Sequence, residues 1–388
     1  MKSFLKWTGR ILIVLALAII AVGIWKREEI GRLGTVLTLF DEENIVGNFS
    51  NMNAAFLNTP LDRQEGSVSE LPTGNPVTLP PEAEDWIFDR SITGLVILKD
   101  GAVVYEDYFK DTDPQDVRIN WSISKSYLSA LFGVLLEEGA FEGLDEPVTK
   151  YAPLLAGTAY DKASIKDVLQ MSSGVVFDED YLDFWSDINK MGRVLALGAS
   201  MDTFAAGQDQ SFSAPGENWK YVSIDTHVIG MVIRGATGRS VTDLLSEKII
   251  EPMGMEADVY YLTDGYGVAF VLGGLNTTTR DNARFGQMIA NGGRWNGQQI
   301  VPADWVDAST VRSANTEPGK TGYGYQWWIP AGAMEGQFMA RGIYGQYIYI
   351  DRINDVVISV HAADRQFREP GVSQQNEDMF RLIAESLN

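Results

Sequence analysis

Apolar residues run without a break from Ile11 to Trp25, with Lys2, Lys6 and Arg10 ahead of them and Lys26-Arg27-Glu28-Glu29 behind. This order of charge, apolar run and charge predicts a membrane-targeting helix. Fifteen apolar residues are short for a span, and Phe4, Leu5 and Trp7 extend the stretch toward the usual length of about 20. Ala21-Val22-Gly23 offers small residues for cleavage, but Ile24 and Trp25 just beyond favour a retained signal anchor over a cleaved signal. Basic residues are balanced on the two sides of the run, so only the signal-like order of charge then apolar residues points the body of the protein out of the cytoplasm.

Beyond residue 30 the periodicity changes four times. From 31 to 83, Asn-Met-Asn, Thr-Pro, Pro-Thr-Gly-Asn-Pro and Leu-Pro-Pro interrupt any repeat, which predicts an irregular lead-in. Gly94 to Leu98, the turn Lys99-Asp100-Gly101 and Val103 to Tyr105 form a hairpin signal. A second hairpin, Tyr347 to Ile350 and Val356 to Val360 around a polar turn, lies near the end and is followed by a helical pattern from about Gln374 to Leu387. Between the hairpins the period is helical over Leu128 to Glu138, Ile165 to Met171, Ile188 to Leu197, Ile224 to Gly235, Val241 to Ile250 and Thr279 to Asn291. Strands at both ends with helices between predict an α+β fold: an antiparallel sheet built from both ends of the domain, flanking helices and an inserted helical lobe. The expected division is an anchor or signal segment over 1–30, a lead-in over 31–83 and one large domain over 84–388.

Composition narrows the chemistry. The chain carries 31 basic and 52 acidic residues, a net charge of -21 that repels nucleic-acid phosphates, so nucleic acid is excluded as a partner. No cysteine is present, which removes thiol chemistry, disulfides and cysteine-ligated zinc. Only His227 and His361 exist, far apart in sequence, so no metal-ligand cluster is expected and both read as packing residues. There is no Gly-x-Ser-x-Gly elbow and no phosphate-cradling glycine loop.

What remains is Trp121-Ser122-Ile123-Ser124-Lys125-Ser126, placed ahead of Leu128, Leu131, Phe132, Leu135 and Leu136 at helical spacing. Residues three apart share a helix face, so the Lys125 ammonium reaches the Ser122 hydroxyl; neither Ser124 nor Ser126 has a lysine three positions on. A helix driven into the core would desolvate Lys125, and a neutral base at pH 7 requires a depression of about 3 units. Tyr221, in Pro215-Gly216-Glu217-Asn218-Trp219-Lys220-Tyr221-Val222-Ser223, is the candidate proton carrier; the nearby lysine is expected to favour its phenolate, so that the two share one proton.

These motifs resemble the serine beta-lactamase and penicillin-binding-protein superfamily, in particular its class C-like branch of esterases and 6-aminohexanoate-dimer hydrolases. Ser122 and Lys125 match its Ser-x-x-Lys motif, and Tyr221 and Ser223 its Tyr-x-Asn or Tyr-x-Ser motif. Leu144 to Val148, Leu169 to Gly174, Thr279 to Gly286 and Gly322 to Trp328 look similar as well, and the resemblance spans roughly 84–388. A literal Lys320-Thr321-Gly322 is present, but it lies about twenty positions before the last hairpin. The family's third motif is therefore matched by Ala340-Arg341-Gly342, leaving Lys320 in a loop.

The resemblance implies a beta-lactamase-like fold and a serine hydrolase working through an acyl-enzyme on Ser122, without a cofactor. It implies an oxyanion hole from the backbone amides of Ser122 and Ile343. Arg341 and Ser223 stand where relatives bind substrate, and Tyr181, in Glu179-Asp180-Tyr181, stands where the nylon-oligomer hydrolases carry a substrate-facing tyrosine. The alternative for that loop is a solvated acidic turn. Without a lysine or histidine at the third motif and an asparagine at the second, a small-molecule ester or amide is expected over a beta-lactam. The alternatives are a D-Ala-D-Ala carboxypeptidase or beta-lactamase, and a catalytically silent, membrane-tethered binding protein. The oligomeric state is not legible.

Overall fold

The computed structural model describes residues 2–63 and 68–388. Residue 1 of the expected anchor and residues 64–67 of the expected lead-in lie outside the described residues.

Seven antiparallel strands form the main sheet, in the order Ala102–Tyr108, Ile92–Lys99, Val356–Ala362, Gln346–Asp351, Gln337–Gly342, Trp328–Ile329 and Gly322–Tyr323. The first strands of the domain thus pair with the last, Ile97 opposite Ile358, which closes the sheet from both ends as the two hairpins predict. Both faces of its centre are covered. Leu95, Ile97, Ile358, Val360, Tyr347 and Tyr349 pack with Trp86, Phe380 and Ile383 from helices Glu82–Asp89 and Val372–Ser386. Val96, Leu98, Val357, Ile348 and Ile350 face the opposite way, into the larger core with Ile123, Tyr127, Phe285 and Met288. Because side chains alternate in a strand, coverage on both faces demands an unbroken apolar run, and this is what Leu95 to Leu98 and Val356 to Ile358 supply.

Helix Thr279–Ala290 lies directly on this second face. A Cβ on Gly286 would stand 2.6 Å from Ile348 and 2.7 Å from Val357, so only glycine lets the helix sit this close. The inserted lobe contains helices Ile165–Leu169, Asp187–Ala196, Met201–Ala206, Ser223–Thr237 and Val241–Leu245, the last continuing through a wide turn, Ser246–Ile250.

The segment over 31–83 departs from the expected irregular lead-in. Helices Arg27–Leu37, Ile45–Ser50 and Met52–Ala55 are followed by strand Asn58–Pro60, which pairs with Tyr260–Leu262 in a second sheet with Leu275–Thr277 and Arg118–Ile119. Burial is too sparse for a repeat to register: helix Arg27–Leu37 has no fully buried residue, and the two short helices after it bury only Ile45, Phe49, Met52 and Ala55. Ahead of it, Lys2–Trp25 is one helix, and its stretch Lys6–Trp25 is long and apolar enough to cross a membrane and wholly unburied by the rest of the chain.

Candidate active site

Ser122 ends the connection from strand Arg118–Ile119 and stands at the N-cap of helix Ile123–Glu137. The helix is buried from Ile123 through Leu135 because its residues are apolar or small on nearly every side. Trp121 just before Ser122 has φ +45°, a left-handed conformation that costs a bulky residue about 1–3 kcal/mol. One turn into the helix, the Lys125 Nζ donates to Ser122 Oγ at 2.9 Å and to the Leu272 carbonyl at 2.6 Å. Burial brings the Lys125 ammonium down to about 7, opposed by the Glu179 carboxylate, which favours the charged form. The neighbouring serines are committed elsewhere: Ser124 Oγ accepts the Leu275 N–H, and Ser126 Oγ donates to the Gln326 carbonyl.

Tyr221 enters from the turn preceding helix Ser223–Thr237. Its ring stacks on Trp328 with centroids 5.1 Å apart, and Lys125 Nζ lies 5.4 Å from the ring centre. Burial first, and then the Glu179 carboxylate, push its phenol well above the ordinary range, outweighing the opposing pull of the Ser122 hydroxyl and Arg341. This direction runs against the expected phenolate. In a dry site an ionised phenol loses its hydration, and a lysine that is itself easily deprotonated cannot compensate for that loss. Burial thus favours the protonated phenol on Tyr221 and the neutral amine on Lys125.

Glu179 is the group that motif reasoning missed. Its carboxylate accepts the Ser223 N–H, the Ser223 hydroxyl at 3.2 Å and the Tyr181 hydroxyl at 2.7 Å, so Glu179-Asp180-Tyr181 is no solvated acidic turn. Burial raises the Glu179 pKa while these donors oppose the rise. A clue lay in the sequence: Phe177, two residues ahead of Glu179, is fully buried and draws the loop inward.

The third wall is the end of strand Gln337–Gly342. A Cβ on Gly342 would fall 2.6 Å from the Asn120 carbonyl and 3.2 Å from the Ser122 nitrogen, so the strand ends against the start of the Ser122 helix. Neither the Ser122 nor the Ile343 N–H has an acceptor among the described residues. Tyr344, after Ile343, is again left-handed at φ +59°. An aromatic cluster supplied largely from outside the motifs holds both strained residues. Phe40 stacks on Tyr344 at 4.7 Å, Phe49 meets Trp121 edge-on at 5.6 Å, and Phe367 packs on Tyr344 at 4.5 Å. Arg341 donates to Ser373 Oγ and lies 5.5 Å from the Trp328 ring centre. Lys320 sits in an exposed turn after Glu317 and touches none of this.

Two cavities meet at Ser122, Tyr181 and Ile343. One, of 270 Å³, is lined mainly by apolar side chains and includes Ser223. The other, of 330 Å³, contains Tyr221, Glu179, Trp328 and Arg341. The candidate residues Ser122, Tyr181, Tyr221, Ser223, Arg341 and Ile343 therefore gather in one place, with Lys125 beneath them. The histidines do not: His361 is buried against Asn120, Asn282 and Thr279, and His227 bonds to Asp202. Among the described residues, no group of three or more His, Asp or Glu side chains is arranged to hold a metal ion.

The Beta-lactamase family model matches residues 87–375. The chain is 30% identical over 292 residues to the 6-aminohexanoate-dimer hydrolase of Paenarthrobacter ureafaciens, covering 72% of this chain and 74% of that protein. A Bacillus anthracis structure provisionally described as a 6-aminohexanoate-dimer hydrolase superposes with a TM-score of 0.79 at 23% identity, over 90% of this chain and 96% of that one. A family VIII carboxylesterase shares the fold at a TM-score of 0.58 and 16% identity, over 79% and 99% of the two chains. The chain belongs to the beta-lactamase family, whose members are serine hydrolases of amide and ester bonds.

Proposed function

We propose that Ser122 is the nucleophile of a membrane-attached ester or amide hydrolase. The observation that carries this is the 2.9 Å contact between Ser122 Oγ and a Lys125 amine whose buried position leaves it largely neutral near pH 7.5. Ser122 Oγ attacks the substrate carbonyl carbon as its proton passes to Lys125 Nζ. The oxyanion develops between the Ser122 and Ile343 N–H groups, each worth about 100- to 1,000-fold in rate. Tyr221 gives its proton to the departing alkoxide or amine and recovers one from Lys125, so the leaving group departs neutral and the acyl group stays on Ser122. Water then attacks the acyl carbon, giving up a proton to the same pair, which passes it to Ser122 Oγ as the acyl–oxygen bond breaks and the carboxylic acid leaves. Tyr181, Ser223 and Arg341 are assigned to substrate contact, and Glu179 to holding Tyr181 and Ser223 in register.

The apolar helix over Lys6–Trp25 supports membrane attachment, and the order of charge and apolar residues supports a catalytic domain on the extracytoplasmic face. We divide the chain into an anchor over 1–30 and a hydrolase over 84–388, with 31–83 serving as part of the hydrolase's site.

A fluorophosphonate probe tests the nucleophile. Labelling should vanish in Ser122→Ala and persist in Ser124→Ala, and a wild type that takes no label refutes the assignment. Turnover of short nitrophenyl esters, a 6-aminohexanoate dimer and a chromogenic cephalosporin, compared at equal enzyme, tests the reaction class; faster cephalosporin turnover overturns the preference for esters and amides.

A further inference from the structure

The two cavities at Ser122 differ in a way that assigns the two halves of the substrate. Tyr221 lines only the second, more polar cavity, so the leaving group it protonates departs on that side, beside Arg341. The acyl half must then occupy the other cavity, whose walls include Phe40, Met52, Phe56, Met191, Leu195 and Leu272. Its 270 Å³ is nearly twice the roughly 150 Å³ of a cavity that takes benzene, room for a chain of several carbons.

The same cavity is tied to the membrane segment. Helix Lys2–Trp25 passes almost directly into Arg27–Leu37, Lys26 N–H bonding back to the Val22 carbonyl and Ile30 N–H to Lys26. The second helix packs on Asp187–Ala196, fixed there by Arg32 Nε on the Ala196 carbonyl, and its last residues, Val36 and Leu37, line the cavity. Twelve residues separate Trp25 from Leu37, at most about 18 Å along a helix. The cavity therefore opens close to the bilayer surface. Its rim is largely apolar and exposed: Leu37 is 60%, Leu182 75% and Phe184 47% accessible, with Trp185 packed edge-on against Phe184 and the Arg193 guanidinium 4.1 Å from the Phe184 ring centre. An exposed apolar rim beside a membrane helix is suited to the lipid interface, where aromatic residues concentrate.

We infer that the substrate is an amphiphilic ester or amide taken from the membrane surface, with its flexible apolar acyl chain in the cavity walled by the 31–83 segment and its polar leaving group beside Arg341. This rests on Ser122 as nucleophile and deepens that reading by naming the substrate class.

The test uses the full chain reconstituted in phosphatidylcholine vesicles, with p-nitrophenyl esters from acetate to dodecanoate and, separately, a long-chain monoacylglycerol in the bilayer. kcat/KM should rise about fourfold per methylene until the cavity fills, and the monoacylglycerol should be hydrolysed. Gly192 lines the cavity, and a Cβ there meets nothing within 4 Å. Gly192→Phe should therefore bring the decanoate-to-acetate ratio close to one. Leu182→Glu, at an exposed rim position where folding is not at risk, should lower the same ratio at least tenfold. Turnover of acetate without a gain for decanoate overturns this inference alone, as does a ratio unchanged in both variants. Failure of every ester together with failure to label Ser122 overturns the nucleophile and the inference with it.

Discussion

The position of Lys125 makes a quantitative demand on pH dependence. An exposed lysine at pH 7 is neutral about once in several thousand molecules, whereas a pKa of about 7 makes half of the side chains competent. The depression of about 3.5 units corresponds to about 5 kcal/mol of lost hydration, net of the opposing Glu179 charge. kcat/KM for a nitrophenyl acetate should then be level above pH 8, fall to about one-eleventh of that level at pH 6, and fall to about one-hundredth at pH 5. The Tyr221 ring centre lies 5.4 Å from the Lys125 amine, and the charged group that acts on that amine is Glu179. Replacing it as Glu179→Gln leaves burial unopposed, so the acid limb should move to lower pH. Lys125→Arg should be inactive at every pH, since a guanidinium does not give up its proton. A flat profile, a limb above pH 9, or an upward move in Glu179→Gln would refute the argument that burial sets the base.

Two further outcomes follow from other contacts. Gly342→Ala places a methyl 2.6 Å from the Asn120 carbonyl, forcing the strand away from Ser122 and separating the two amides; kcat should fall about 100- to 1,000-fold, with the folded fraction checked by circular dichroism. Asp225 is buried, accepts from Tyr160 and Ser173, and is pushed up to about 7 by burial. Below pH 3.8 its carboxyl is protonated in both folded and unfolded chains. Between 3.8 and about 7 only the folded chain holds the proton, so stability falls as pH rises through this window, by up to about 4 kcal/mol. Asp225→Asn should accordingly raise the thermal midpoint more at pH 8 than at pH 4, and an equal change at the two values would contradict the assignment.

Where a residue's local period or motif offset determines its place, the sequence was readable. Ile97 pairs with Ile358 across more than 250 residues because both lie in apolar runs that only a doubly covered sheet accommodates. Lys125 meets Ser122 because a helix repeats every 3.6 residues. Arg341 and Ile343, expected from the family's third motif in preference to the literal Lys320-Thr321-Gly322, line a cavity at Ser122, whereas Lys320 lies in an exposed turn. The charge state of Tyr221 was not readable, because it depends on how much water two cavity walls exclude, and those walls come from loops more than 100 residues apart in sequence.

The helices and strand between residues 31 and 60 went unread for a different reason, and they bear on how the site is held. Trp121 and Tyr344 are bulky residues in left-handed conformations, each adjoining one of the two amides proposed for the oxyanion. Strain of about 1–3 kcal/mol at each persists only if surrounding contacts overdetermine the backbone. Those contacts are Phe40 and Phe49, which lie outside the family match, together with Phe367 from the far end of the chain. Aromatic pairs of this geometry contribute about 0.5–1.5 kcal/mol each beyond their burial, so the cluster is of the right size to offset the strain. Residues 36–56 thus both pack on the two strained residues and line the apolar cavity at Ser122.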